Sequence, residues 1–164
     1  VVRNRNAVQP QGDKARGIVR IAVIHGPNLN LLGTRETDKY GTVSLSTIND
    51  MLEEIATEHP IDLVFFQSNS EGDLVSFIQE TGAQCDGLVI NPAAYTHTSV
   101  ALRDALLAVA KPTVEVHLTN PDAREPFRHR SLIADIVLGR VAGFGPQSYC
   151  LGLLGLLRHV QEER

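Results

Sequence analysis

Short runs rich in β-branched residues alternate along this chain with longer stretches whose apolar positions repeat at helical spacing, and this rhythm constrains the fold more than any other feature. Strand and helix in regular succession imply parallel strands joined by crossover helices. The strand candidates are Ile18–Ile24, Asp62–Phe66, Gly87–Ile90, Thr113–His117 and Val137–Gly143. Between the first two, Ser44–His59 places Leu45, Ile48, Leu52 and Ile55 on one helical face behind a Ser44 N-cap. Ser70–Thr81 presents Leu74, Val75 and Ile78 and stops at Gly82. A third helix, Thr98 to Ala110, is nearly apolar apart from Arg103 and Asp104 and ends ahead of Pro112. The Leu-rich Gln147–Gln161 closes the pattern. Five strands with helices on both faces predict a three-layer, flavodoxin-like α/β fold with strand order 2-1-3-4-5.

A chain of 164 residues, 43% hydrophobic and 21% charged, suits one globular domain spanning residues 18–164. Val1 to Gly17 carries Arg3, Arg5, Lys14 and Arg16 among polar residues without periodicity, and is expected to form a mobile tail. A net charge of -4 with scattered Lys and Arg offers no field for nucleic acid. Cys85 and Cys150 lie far apart, which suggests neither a zinc site nor a disulfide framework. Without an apolar run of the roughly 18 residues that span a bilayer, or a leader, the expectation is a soluble cytoplasmic protein.

In open parallel sheets the ligand crevice lies outside the carboxyl ends of the strands. Three post-strand segments are unusually polar here: the long connection from His25 to Gly41, then Asn91 to Ser99, then His117 to Arg128. The first holds Arg35 and Tyr40. For a phenol to be half ionised near neutrality its pKa must fall about three units, roughly 4 kcal/mol, which a nearby guanidinium supplies most directly. An isolated Arg-x4-Tyr is nonetheless ordinary as a solvated charge beside a packing tyrosine.

Glu115 and His117 stand two apart on the fourth strand and so leave the same face, where a carboxylate can orient an imidazole for acid–base work or merely stabilise a strand end. Arg124 and Arg128 are four apart and share a face if the segment turns helically, with Pro126 confined to a first turn. Two guanidiniums at a crevice suit an anionic ligand. Asn91 and His97 bracket the third strand's exit. His25, His59, His129 and His159 receive no role, and no set of ligands at metal-binding spacing appears.

The string Gly26-Pro-Asn-Leu-Asn-Leu-Leu-Gly-Thr-Arg-Glu36, then Tyr40-Gly41, the run from Asn91 to Ala105, and Glu115-Val-His117 together resemble the type II 3-dehydroquinate dehydratases, over about Arg20 to Leu157. The resemblance implies a cofactor-free lyase of the shikimate pathway that converts 3-dehydroquinate to 3-dehydroshikimate by anti elimination through an enolate. By the same resemblance Tyr40 is the base, with Arg35 lowering its pKa, and Asn28 holds a water against the enolate oxygen. His117 protonates the departing hydroxyl with the help of Glu115. Asn91, His97 and Arg128 contact substrate, Arg124 supports the site, and the amides of Leu118 and Thr119 bind the substrate carboxylate. Asp104 matches a position that reaches into a neighbouring subunit, which implies a homo-oligomer, a dodecamer built of trimers.

The unrelated type I route needs a lysine of lowered pKa, and Lys14, Lys39 and Lys111 all lie in unsuitable places. The chain departs from the family pattern at His25, where Asn is frequent, and at Asp122, Arg130 and Ser148. The change at His25 is expected to alter the floor of the loop without touching the chemistry. A flavodoxin-like flavin- or phosphate-binding module is the alternative, weakened by the lack of a Gly/Ser/Thr cradle after the first strand and of any Trp. A receiver domain needs acidic residues at the end of the first strand and a lysine after the last, where this chain has His25-Gly26 and no lysine, and a non-catalytic scaffold predicts gaps in the motifs that are not seen.

Overall fold

A computed structural model describes residues 17–34 and 42–163. The proposed tail up to residue 16, together with Arg35 and Tyr40, lies outside the described residues. Five parallel strands, β1 (Val19–His25), β2 (Ile61–Gln67), β3 (Gly87–Asn91), β4 (Thr113–His117) and β5 (Gly139–Ala142), form one sheet in the order 2-1-3-4-5. The helices are α1 (Leu45–Glu58), α2 (Glu71–Glu80), α3 (Val100–Val109) and α4 (Gln147–Glu162).

Alternation along β1 divides the core. Val19, Ile21 and Val23 face a cluster with Ile48 and Leu52 of α1 and Leu153, Leu156 and Leu157 of α4. Ala22 and Ile24 face the opposite cluster, with Leu74 and Ile78 of α2 and Leu102 and Leu106 of α3. Successive strand side chains leave opposite faces, so the middle of a central parallel strand must be apolar on both, as Ile21–Ile24 of β1 and Leu88–Ile90 of β3 are. Gly152 of α4 lies so close to β4 that a Cβ there would meet Val116 Cγ1 at 2.6 Å.

Caps set the helix starts. The hydroxyls of Ser44, Ser70 and Ser99 accept from the backbone N–H groups of Thr47, Asp73 and Leu102, at 3.1, 3.3 and 2.9 Å. The Ser99 cap starts α3 two residues later than the apolar pattern suggests, because Ala93–His97 forms a separate 3-10 segment. The last strand is also shorter than expected: Ile136 and Val137 pack on the α2/α3 side of the core instead of pairing with β4. Among the described residues no helix is long and apolar enough to cross a membrane.

Candidate active site

The carboxyl ends of β1, β3 and β4 open into a cavity of about 240 Å3, at the point where strand order reverses between β1 and β3. Gly26 permits the two central strand ends to close up: its N–H donates to Asn91 O at 2.8 Å, and a Cβ on it would sit 2.5 Å from Pro92 O. The chain then turns at Asn28, which holds a left-handed backbone at φ 66 and donates its N–H to Asn69 Oδ1 at 2.9 Å. Asn69 is a positioning residue without a sequence signal. It follows β2, accepts also from Gln67 Nε2 at 3.2 Å, and its carbonyl accepts from the Tyr95 hydroxyl at 2.8 Å.

Glu115 is wholly buried beneath the cavity wall at the end of β4. Its Oε1 lies 2.6 Å from His117 Nε2, and its Oε2 accepts from Ser131 Oγ at 2.9 Å and pairs with Arg140 Nε at 3.2 Å. Burial works against ionising this carboxyl. The hydrogen bond and charge of His117, the Arg140 guanidinium and the Ser131 hydroxyl outweigh it and hold the group below the usual carboxylate range. A buried carboxylate therefore grips one nitrogen of the His117 ring, and the ring itself reaches the cavity. Arg140 stands directly across from Glu115 in the β4/β5 register, and neither it nor Ser131 is among the residues expected at the site.

Of the remaining expected residues, Asn28, Asn91, His97, Leu118, Thr119, Arg124 and Arg128 all line the same cavity. Asn91 is buried, and its Oδ1 accepts from Ala93 N–H at 3.1 Å. His97 Nδ1 donates to Arg130 O at 2.8 Å, which leaves Nε2 for a ligand. The two arginines do not share one helical turn. Pro121–Ala123 and Pro126–Arg128 form separate 3-10 turns with Arg124 extended between them, because each proline sits at the start of its own turn. They converge on Glu125 instead, Arg128 Nε at 2.8 Å and Arg124 Nε at 3.6 Å. Asp104 is exposed on α3 and does not line the cavity. Among the described residues no group of three or more His, Cys, Asp or Glu is placed to hold a metal ion.

The sequence profile of class II dehydroquinases matches residues 19–157. The 3-dehydroquinate dehydratase of Acaryochloris marina is 57% identical over 143 residues, covering 87% of this chain and 96% of its own length. The chain belongs to the class II dehydroquinase family. Membership makes it an enzyme, a hydro-lyase, and disfavours the flavin- or phosphate-binding reading. The 3-dehydroquinate dehydratase of Geotalea daltonii is 51% identical, over 88% of this chain and all of its own. Among solved structures, the type II dehydroquinase from Butyrivibrio crossotus superposes with a TM-score of 0.82 at 40% identity, over 85% of this chain and 97% of that one. In this dehydroquinase the matched segment contains the whole described cavity wall, from Pro27 to Arg128.

Proposed function

We propose that the chain dehydrates 3-dehydroquinate to 3-dehydroshikimate by anti elimination through an enolate. Tyr40, as phenolate, removes a proton from the carbon beside the ketone, and Arg35 favours that phenolate by its charge. Asn28 holds a water against the enolate oxygen, where a preorganised donor lowers the barrier. The hydroxyl then leaves as water, protonated by the His117 nitrogen turned away from Glu115. Asn91, His97 and Arg128 hold the substrate, Arg124 supports them, and the amides of Leu118 and Thr119 receive its carboxylate. No step calls for a cofactor.

The observation that carries this reading is the His117 ring in the cavity wall, 2.6 Å from the buried Glu115 carboxylate. A carboxylate so placed stabilises the imidazolium that an acid catalyst requires and fixes its direction. The test follows the ultraviolet absorbance of the conjugated product from 3-dehydroquinate, with and without borohydride. Activity should survive borohydride, since no imine forms, and Tyr40→Phe should abolish turnover while preserving substrate binding. Borohydride inactivation that depends on substrate would sink the enolate route.

We further propose that the enzyme works in the cytoplasm as a homo-oligomer, a dodecamer of trimers, with Asp104 reaching a neighbouring subunit's site. Val100 and Leu107, both more than half exposed on the same helix as Asp104, support such a contact. A light-scattering mass equal to one chain would refute it.

A further inference from the structure

Fixed charge is confined to one stretch of the cavity wall. Of the described residues that line it, only Arg124, Glu125 and Arg128 carry a charge that does not depend on an imidazole. The backbone brings the three together. Arg124 is extended between two 3-10 turns, each started by a proline, and Arg128 donates its N–H back to Glu125 O at 2.8 Å. The side chains repeat the contact: Glu125 Oε2 accepts from Arg128 Nε at 2.8 Å and pairs with Arg124 Nε at 3.6 Å. One carboxylate oxygen thus lies between two guanidiniums.

Exposure separates the members of this triad. The Arg124 and Arg128 side chains are 19% and 25% exposed, that of Glu125 48%. Two like charges drawn this far from water repel each other, and a carboxylate between them offsets the repulsion. The Glu125 backbone N–H and then the Arg128 guanidinium hold that carboxyl below its ordinary range, so it is an anion near neutrality. Two positive charges and one negative leave the wall with one net positive. A guanidinium has five N–H donors, so Arg128, anchored to Glu125 through Nε, keeps its terminal N–H groups for a ligand.

We propose that Glu125 is a specificity-determining residue: by cancelling one of the two guanidinium charges, it fits the cavity to an oxyanion of single negative charge and disfavours dianions such as sulfate. That the monoanion is 3-dehydroquinate rests on the function proposed above. With Glu125 neutralised the wall would hold two positive charges. A dianion is attracted to the added charge twice as strongly as a monoanion, so the loss of Glu125 favours the wrong ligand over the right one.

Competitive inhibition by sulfate tests the assignment, at an ionic strength held constant with sodium chloride so that screening does not vary. Glu125→Gln keeps the shape of the side chain and removes its charge. It should lower the inhibition constant of sulfate by about tenfold, and by at least about threefold more than it lowers the KM for 3-dehydroquinate. Glu125→Asp keeps the charge and should hold the sulfate constant within about threefold of the native value, a rescue that a merely structural side chain would not show. A sulfate constant that is unchanged or raised in Glu125→Gln, or that falls equally in Glu125→Asp, would overturn the proposal. If the native enzyme fails to turn over 3-dehydroquinate, the functional reading falls. Sulfate affinity from titration calorimetry on the same proteins then decides the charge assignment alone, tighter binding in Glu125→Gln upholding it and equal or weaker binding overturning it. Should Glu125→Gln not fold, Glu125→Ser, equally uncharged, takes its place with the same expected outcomes.

Discussion

Two histidines end parallel strands of the same sheet, His25 on β1 and His117 on β4, and both are buried. Their partners differ. His25 meets only neutral groups, the Asn49 carbonyl and the Tyr149 hydroxyl, and burial drives its pKa down to about 4. His117 meets the Glu115 carboxylate, which Arg140 and Ser131 in turn hold. A residue type and a place in the fold do not decide what an imidazole does; the charge of its nearest partner does. Beside neutral groups the ring serves as a fixed donor and acceptor, whereas beside a held carboxylate it is equipped to carry a proton.

The largest expected effect is on turnover. His117→Asn should lower kcat by about a thousandfold, within the range for loss of a general acid. His25→Asn should lower it by less than about tenfold, because a buried ring bound only to neutral groups is not placed to hand a proton to a ligand. Equal losses in the two variants would erase the distinction between them.

Next in size is the pH dependence of stability. His25 stays neutral when folded, with its pKa depressed from 6.5 to about 4, so between those values the unfolded chain binds more protons than the folded one. Stability is then complete above pH 6.5 and falls as pH drops toward 4, by about 3 kcal/mol in all from this group. Glu115, whose folded pKa is also depressed, adds its own loss in a lower window, below its ordinary value of 4.5. Denaturant titrations of the native chain and of His25→Phe at pH 7 and pH 4.5 separate the two. Parallel losses in both proteins would show that His25 does not titrate as described.

Most of the sheet is legible in the sequence because buried strands and amphipathic helices write their period into the chain. The departures fall at an edge and at caps. The shortened β5 has one neighbour only, so Val137 is free to join the α2/α3 core instead of extending the ladder. The Arg124/Arg128 pair is visible in the sequence but its geometry is not, because two prolines start two turns where the spacing of four suggests a single helical face. Glu115 and His117 are readable from their spacing of two. Arg140 is not, although an arginine amid the apolar residues of the last strand is its signal; its meaning depends on register across strands, which no spacing along the chain encodes. His25 looks in the sequence like the floor of a loop. It is a buried hub whose partners lie 24 and 124 residues away, beyond the reach of any local motif. Arg35 and Tyr40 fall outside the described residues, so their part in the reading rests on family likeness.

The smallest effect sharpens what holds Glu115. Ser131→Ala removes the 2.9 Å hydrogen bond to Oε2 and the 3.2 Å bond that Ser131 Oγ accepts from Ile133 N–H, and leaves the Arg140 pair at 3.2 Å and the His117 contact at 2.6 Å. If charge is what keeps the carboxylate ionised, the loss should be modest: about 2 kcal/mol of stability, as for two intramolecular hydrogen bonds, and a drop in kcat of about two- to fivefold. Replacing Arg140 by Gln should cost more on both counts, since it takes the compensating charge from a buried anion. Denaturant midpoints and steady-state rates of the two variants rank the partners. A Ser131→Ala loss equal to or larger than that of Arg140→Gln would mean that the hydroxyl, rather than the guanidinium, sets apart the environments of the two histidines.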